Sequence, residues 1–187
     1  MDSILFDAVQ TNPIIAAIKS DEGLSLCLKN DSRVVFILYG DICTIPQIVE
    51  KIKNSGKIAM VHADLINGLA AKEIAVDYLR FCTKADGIIS TRINIIRRAK
   101  ELGLYTVLRV FAIDSMAISD LTGLRDVRPD FLEVLPGVIP SVIRMLRAGT
   151  GLPVLAGGLI VNKQNIMDAL EAGAMAISST NEEVWKM

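Results

Sequence analysis

Six places in the chain hold residues that could do chemistry, and each closes or interrupts a short apolar run. His62 and Asp64 follow Met60-Val61, and Ser90 with Thr91 follows Ile88-Ile89. Arg109 stands between Leu108 and Val110, and Glu133 between Leu132 and Val134. Leu155-Ala156 runs into Gly157-Gly158, and Ile177 runs into Ser178-Ser179-Thr180-Asn181. Paired glycines let the backbone approach an anion and aim N–H groups at it. Ser, Thr or Asn opening a following helix adds hydroxyl or amide donors and the helix dipole. Gly157, Gly158, Ser179, Thr180 and Asn181 are therefore a candidate phosphate cup. Singly, a tight turn and ordinary N-caps would account for them; their occurrence at two successive run ends favours the anion site.

The charged residues admit two readings. A period of two over Met60-Val61-His62-Ala63-Asp64 puts His62 and Asp64 on one side of a strand. His62 is the single histidine, and a lone histidine on a strand is as readily a hydrogen-bonded core residue as a ligand group. A charge inside an apolar strand needs a partner or a ligand. Arg109 and Glu133 thus form either a structural ion pair across neighbouring strands or, with His62, Asp64 and Ser90, the lining that binds a small polyol.

What must position these groups is a recurring unit. Short β-rich runs occur at Ile14–Ile18, Val34–Gly40, Ile58–Ala63, Gly87–Thr91, Tyr105–Ala112, Phe131–Leu135, Pro153–Ala156 and Ala174–Ser178. Between them lie segments with helical spacing, carried by Ile48, Val49 and Ile52; by Ile74, Tyr78, Leu79 and Cys82; by Ile96, Ala99 and Leu102; and by Ile166, Ala169 and Leu170. Gly56, Gly103 and Gly173 stand where helices end, and Pro46 where one begins. Alternation at roughly 20 to 29 residues per unit is the pattern of right-handed βαβ crossovers and parallel strands. Eight units predict an α/β fold, a compact (β/α)8 TIM-type barrel with short loops, occupying residues 1–187 as a single domain. An open doubly wound sheet is the alternative, and no GxGxxG turn supports it. The first unit is the weakest, with Gly23 inside its presumed helix. In such a barrel, binding residues collect where strands end and βα loops begin.

Composition bounds the rest. Aliphatic residues dominate a 51% apolar chain with 5% aromatics. Mean hydropathy is +0.43, yet no run approaches the roughly 20 apolar residues of a membrane span. Met1-Asp2-Ser3-Ile4 lacks the basic opening of a secretory signal, and three scattered cysteines without CxxC fit a reducing cytoplasm and neither a disulfide scaffold nor zinc. A net charge of −1 gives no bulk attraction to nucleic acid.

The ordered strings His62-Ala-Asp-Leu65, Gly87-Ile-Ile-Ser-Thr91, Arg109-Val-Phe111, Glu133-Val-Leu-Pro-Gly137, Ala156-Gly-Gly158, Thr180-Asn181 and Val184-Trp185-Lys186 resemble the bacterial glycerol uptake operon antiterminator regulatory proteins. The likeness runs from about Pro13 to the C-terminus. It implies a barrel without catalysis and without a cofactor, which senses glycerol 3-phosphate as its effector. It also implies binding to the leader messenger RNA of glycerol operons, so that transcription passes a terminator. The ligand's phosphate would meet the glycine and hydroxyl donors, and its hydroxyls Asp64, Glu133 or Ser90.

For RNA, Arg92, Arg97, Arg98 and Lys100 on or near the fourth helix, Arg125 and Arg128 closing the fifth, and Arg144 and Arg147 on the sixth form a basic stripe. Charged residues on outer helices are usually just solvated, whereas phosphate contacts from such a stripe would make binding salt-dependent. The rival is a sugar-phosphate isomerase, epimerase or aldolase using His62, Asp64 or Glu133 as acid and base. The absence of a strand-end lysine for a Schiff base and of a metal-ligand cluster favours a sensor. The loops Leu65 to Ala71 and Ile113 to Met116 are expected to order with ligand, and the apolar surplus permits a homo-oligomer.

Overall fold

The computed structural model describes residues 4–112 and 124–187. Helix α1 (Ile4–Thr11) precedes the first strand. Eight short strands follow: β1 (Ile14–Ile18), β2 (Val34–Ile37), β3 (Ile58–His62), β4 (Gly87–Ser90), β5 (Tyr105–Phe111), β6 (Phe131–Leu135), β7 (Val154–Gly157) and β8 (Ala176–Ser179). All pair in parallel with their chain neighbours, and β8 returns to β1 to close the barrel. The helices α2 (Asp21–Cys27), α3 (Ile45–Asn54), α4 (Glu73–Cys82), α5 (Ile93–Glu101), α6 (Leu124–Val127), α7 (Pro140–Thr150) and α8 (Lys163–Glu171) follow strands one to seven.

Both faces of each strand are buried, which is why the runs are apolar throughout instead of alternating. Ile15, Ala17, Val34, Phe36, Ile58, Met60, Ile89, Val107, Phe131, Leu155 and Ala176 fill the barrel. Their neighbours Ala16, Ile18, Val35, Ile37, Ala59, Val61 and Ile88 pack under α2 to α5, while Val134, Val154, Ala156 and Ile177 pack under α7 and α8. The first strand residues form the floor, and α1 lies across it with Leu5, Ala8 and Val9 buried. Phe6 stacks on Phe131 with centroids 4.5 Å apart, a contact worth about 0.5–1.5 kcal/mol beyond its area.

The expected barrel is therefore found, with local differences. Helix α1 is an addition to the eight expected units, although Leu5, Ala8 and Val9 carry i, i+3, i+4 spacing. Strands β2 to β5 stop one to three residues short of the apolar runs, because the chain turns outward at the mouth; β7 runs on to Gly157 and β8 to Ser179. On α4 the packed residues are Ala75, Val76 and Leu79, whereas Ile74 and Cys82 of the expected face are exposed. No α-helix follows β8, only one 3-10 turn, Val184–Lys186, so the helix dipole expected behind Ser179 to Asn181 is missing. Gly56, Gly103 and Gly173 do take positive φ after their helices, and Pro46 does open α3. Among the described residues no helix is long and apolar enough to cross a membrane.

Candidate functional site

The inward line of each strand ends at the C-terminal mouth, and four polar residues and one glycine complete such lines. His62 continues Ile58 and Met60, Arg109 continues Tyr105 and Val107, Glu133 follows Phe131, Gly157 follows Leu155, and Ser178 follows Ala176. Register sets them side by side: Arg109 pairs with Glu133, and Gly157 with Ser178. Nε of Arg109 donates to Oε2 of Glu133 at 2.7 Å, and Oγ of Ser178 donates to Oε1 at 2.5 Å. Glu133 is fully buried, with each oxygen engaged. The structural ion pair is thus real, and it leaves Glu133 little capacity to accept from a ligand hydroxyl.

Gly157 has no room for a side chain, because a β-carbon there would stand 2.7 Å from both Glu133 Oε1 and Ser178 Oγ. The turn beyond it uses Gly158 at φ 73° and Leu159 at φ 60°. The amide of Gly137 donates to the carbonyls of Gly157 at 2.5 Å and Gly158 at 3.2 Å, which fixes those oxygens toward the β6α7 loop. Among the described residues, the amides of Gly158, Leu159 and Thr180 donate to no protein acceptor. Unpaired N–H groups at two adjacent strand ends are what an anion needs. The N-terminus of α8, capped by Asn162, faces the same edge of the barrel. Leu159 in the left-handed region costs about 1–2 kcal/mol, a strain typical of binding turns.

Other expected ligand residues have different places. Ser179 points out of the barrel: its hydroxyl donates to the carbonyl of Ile160 at 3.0 Å and accepts from the amide of Asn181. The inward serine is Ser178, which its place in the string does not single out. Asn181 accepts from the amide of Glu183 and so builds the turn after β8. Trp185 is a structural residue that spacing likewise leaves unmarked, and its Nε1 donates to the carbonyl of Ser179 at 2.7 Å. Thr180 is exposed at the rim.

Asp64 does not continue strand three; it sits on the 3-10 turn Ala63–Leu65. Its carboxylate accepts from Ser90 Oγ at 3.0 and 2.9 Å, from the Thr91 amide at 2.8 Å and from Thr91 Oγ1 at 3.2 Å, with Arg92 Nε 3.5 Å away. Asp64 and Ser90 therefore brace β3 against β4, so neither is a free hydrogen-bonding group for a polyol. His62 is different. It is buried, its Nδ1 has no hydrogen-bond partner among the described residues, and the nearest carboxylate oxygen, on Asp64, is 3.8 Å off. Burial first, and then the Arg109 charge, push its pKa down to about 4, so the ring is neutral at physiological pH.

The basic stripe is thinner than expected. Arg98 is held by Asp77 at 2.6 Å and Glu101 at 3.0 Å, Lys100 donates to the carbonyl of Arg128, and Arg147 Nη1 reaches the carbonyl of Gly173. Arg97 and Arg144 remain exposed without an ion pair among the described residues, and Arg92 stands at the rim. The side chain of Arg125 and the loop Ile113 to Met116 lie outside the described residues. Among those described, no three of His, Cys, Asp and Glu gather as metal ligands would.

A family model described as glycerol-3-phosphate responsive antiterminator matches residues 14–185. The uncharacterized protein YgcP of Escherichia coli is 37% identical over 184 residues, covering 98% of this chain and 96% of that one. The solved glycerol uptake operon antiterminator regulatory protein of Listeria monocytogenes is 32% identical with a TM-score of 0.91, over 94% of this chain and 95% of the other. A glycerol uptake operon antiterminator-related protein of Thermotoga maritima is also 32% identical, with a TM-score of 0.82 over 93% and 98% of the two chains.

Proposed function

The chain belongs to the glycerol-3-phosphate responsive antiterminator family, and from that premise we propose that its barrel mouth binds glycerol 3-phosphate and that the liganded protein binds the leader RNA of glycerol operons. The observation that carries the ligand assignment is the set of unpaired amides at Gly158, Leu159 and Thr180, on neighbouring strand ends. A phosphate dianion would take those donors, with the Thr180 hydroxyl and the dipole of α8 adding to them. Arg109 and Glu133 neutralise each other, so the phosphate would be held by neutral donors more than by a free cation. At the other end of the ligand, a hydroxyl would satisfy Nδ1 of His62.

An acid–base role is less well supported. Glu133 has both oxygens engaged, Asp64 accepts several hydrogen bonds, and His62 is buried and neutral. A regulatory protein needs none of them to transfer a proton. RNA contact would fall on Arg97, Arg144 and the rim residue Arg92, and ligand could change RNA affinity only through a difference in its own affinity for the two states.

The experiment is a calorimetric titration with glycerol 3-phosphate, paired with a gel shift on a glycerol operon leader RNA with and without it. A folded protein that gives neither heat nor a thermal shift refutes the ligand; leader binding indifferent to ligand refutes the regulation.

A further inference from the structure

The candidate phosphate site offers direction but little charge. The amides of Gly158, Leu159 and Thr180 are neutral donors, and Arg109 inside the barrel is already balanced by Glu133. Neutral donors orient a phosphate without cancelling its charge. A free cation beside them would add affinity, and the strand that borders β8 on its far side supplies one.

Strand β1 closes the barrel against β8, with Ile15 level with Ser178 and Ala16 with Ser179. On that register Ala17 is level with Thr180, and Lys19 follows two residues further out, roughly 7 Å at about 3.3 Å per residue. Ile15 and Ala17 face the barrel interior, whereas Ala16 and Ile18 pack outward under the helices. Beyond the strand the alternation continues. The amide of Leu38 still donates to the carbonyl of Ile18 at 2.9 Å. Ser20 is extended, at φ −161° and ψ 168°, and its hydroxyl turns outward to accept from the amide of Gly23 in α2. Lys19 therefore stands between two outward residues and completes the inward line Ile15, Ala17, Lys19 at the rim.

Lys19 is exposed and has no ion-pair partner among the described residues, not even Asp21 or Glu22 close after it. Asp21 instead accepts from the Tyr39 hydroxyl at 2.9 Å. An ammonium on a flexible four-carbon stem is a point charge that can swing down to an anion held at Thr180. At the open rim, one residue past the strand, it lacks the apolar enclosure that activates a Schiff-base lysine. We infer that Lys19 is the cation of the phosphate site, reaching the anion from the β1 side and supplying the charge that the strand-end amides lack. The inference rests on the glycerol 3-phosphate reading of the mouth.

Calorimetric titration of the full chain with glycerol 3-phosphate, and separately with inorganic phosphate, tests it. Lys19→Gln should weaken both by about tenfold or more, the scale of a hydrogen bond to a charged group. It should also flatten the dependence of affinity on salt and leave the thermal melt intact, because the side chain is exposed. Lys19→Arg should keep most of the affinity. Lys163→Gln removes an equal charge from the first residue of α8 and should matter less. In a second readout, saturating glycerol 3-phosphate should slow reductive methylation of the Lys19 amine, followed by mass spectrometry. If Lys19→Gln binds both ligands like the wild type, or Lys163→Gln costs more, the inference falls while the ligand reading stands. A wild type that binds inorganic phosphate through Lys19 but not glycerol 3-phosphate sinks the reading and keeps the cation. A wild type that binds neither overturns both.

Discussion

A β-carbon on Gly157 would lie 2.7 Å from Oε1 of Glu133, so the floor of the proposed phosphate site and the buried ion pair share one boundary. Gly157→Ala must displace Glu133, Ser178 or the turn itself. Overpacking of this kind costs about 1–3 kcal/mol. The expected result is a lower melting temperature together with loss of the calorimetric signal for glycerol 3-phosphate. An alanine variant that titrates like the wild type would remove the site from this turn.

Arg109 and Glu133 should behave as a unit. Glu133→Gln keeps the shape but leaves the guanidinium buried and unbalanced, for which a loss of about 3–5 kcal/mol is expected by denaturant unfolding. Arg109→Met combined with Glu133→Gln should recover part of that loss, since no lone charge then remains inside. A loss below about 1 kcal/mol for the single variant would show the pair to be better hydrated than its burial indicates.

His62 predicts a pH dependence of stability. Its folded pKa, about 4, lies below the 6.5 of the unfolded chain, so between those values the unfolded state binds the extra proton. Stability is therefore at its full value above pH 6.5 and declines as the pH falls toward 4. The contribution is of order 3 kcal/mol at about 1.4 kcal/mol per pH unit. His62→Gln should flatten the unfolding free energy over that window relative to the wild type, and parallel curves for the two proteins would refute the shift. The same variant should weaken glycerol 3-phosphate more than inorganic phosphate, because it alters only the hydroxyl end.

Reversing charge at Arg97 and Arg144 should lower leader RNA affinity and leave the ligand titration unchanged. For every RNA phosphate deprived of its arginine, the slope of log affinity against log salt should fall by about 0.7 on a single strand. Arg98→Ala should leave RNA binding alone, since Asp77 and Glu101 already hold that guanidinium. Equal effects at Arg97 and Arg98 in a filter-binding assay would move the RNA surface elsewhere.

The barrel is legible in the sequence because its evidence is periodic: eight apolar runs, one-sided helices between them, and glycines at helix ends. Facing is not. In Ala176-Ile177-Ser178-Ser179 every residue is buried, so nothing in the string says which serine looks inward, and Ser178 stands where Ser179 is expected. Asp64 braces β3 against β4 because strand three ends at His62, and a polar residue at a strand end can bond its neighbours as well as a ligand. On α4 the alternation of apolar residues marks two faces at once, and Ile74 and Cys82 belong to the outer one although their spacing fits either. The pairing of Arg109 with Glu133 is readable from the isolation of both charges in apolar strands, and strand order alone makes them neighbours.

Helix α1, with Leu5, Ala8 and Val9 set into the strand starts of the packed cylinder, covers one end and leaves the other, where the strands finish, as the open rim. A small metabolite bound as proposed would then arrive and depart across that one rim. A transcript or loop resting across it would hold the occupant in, and its slowed escape would lengthen the time for which one encounter with the metabolite is remembered.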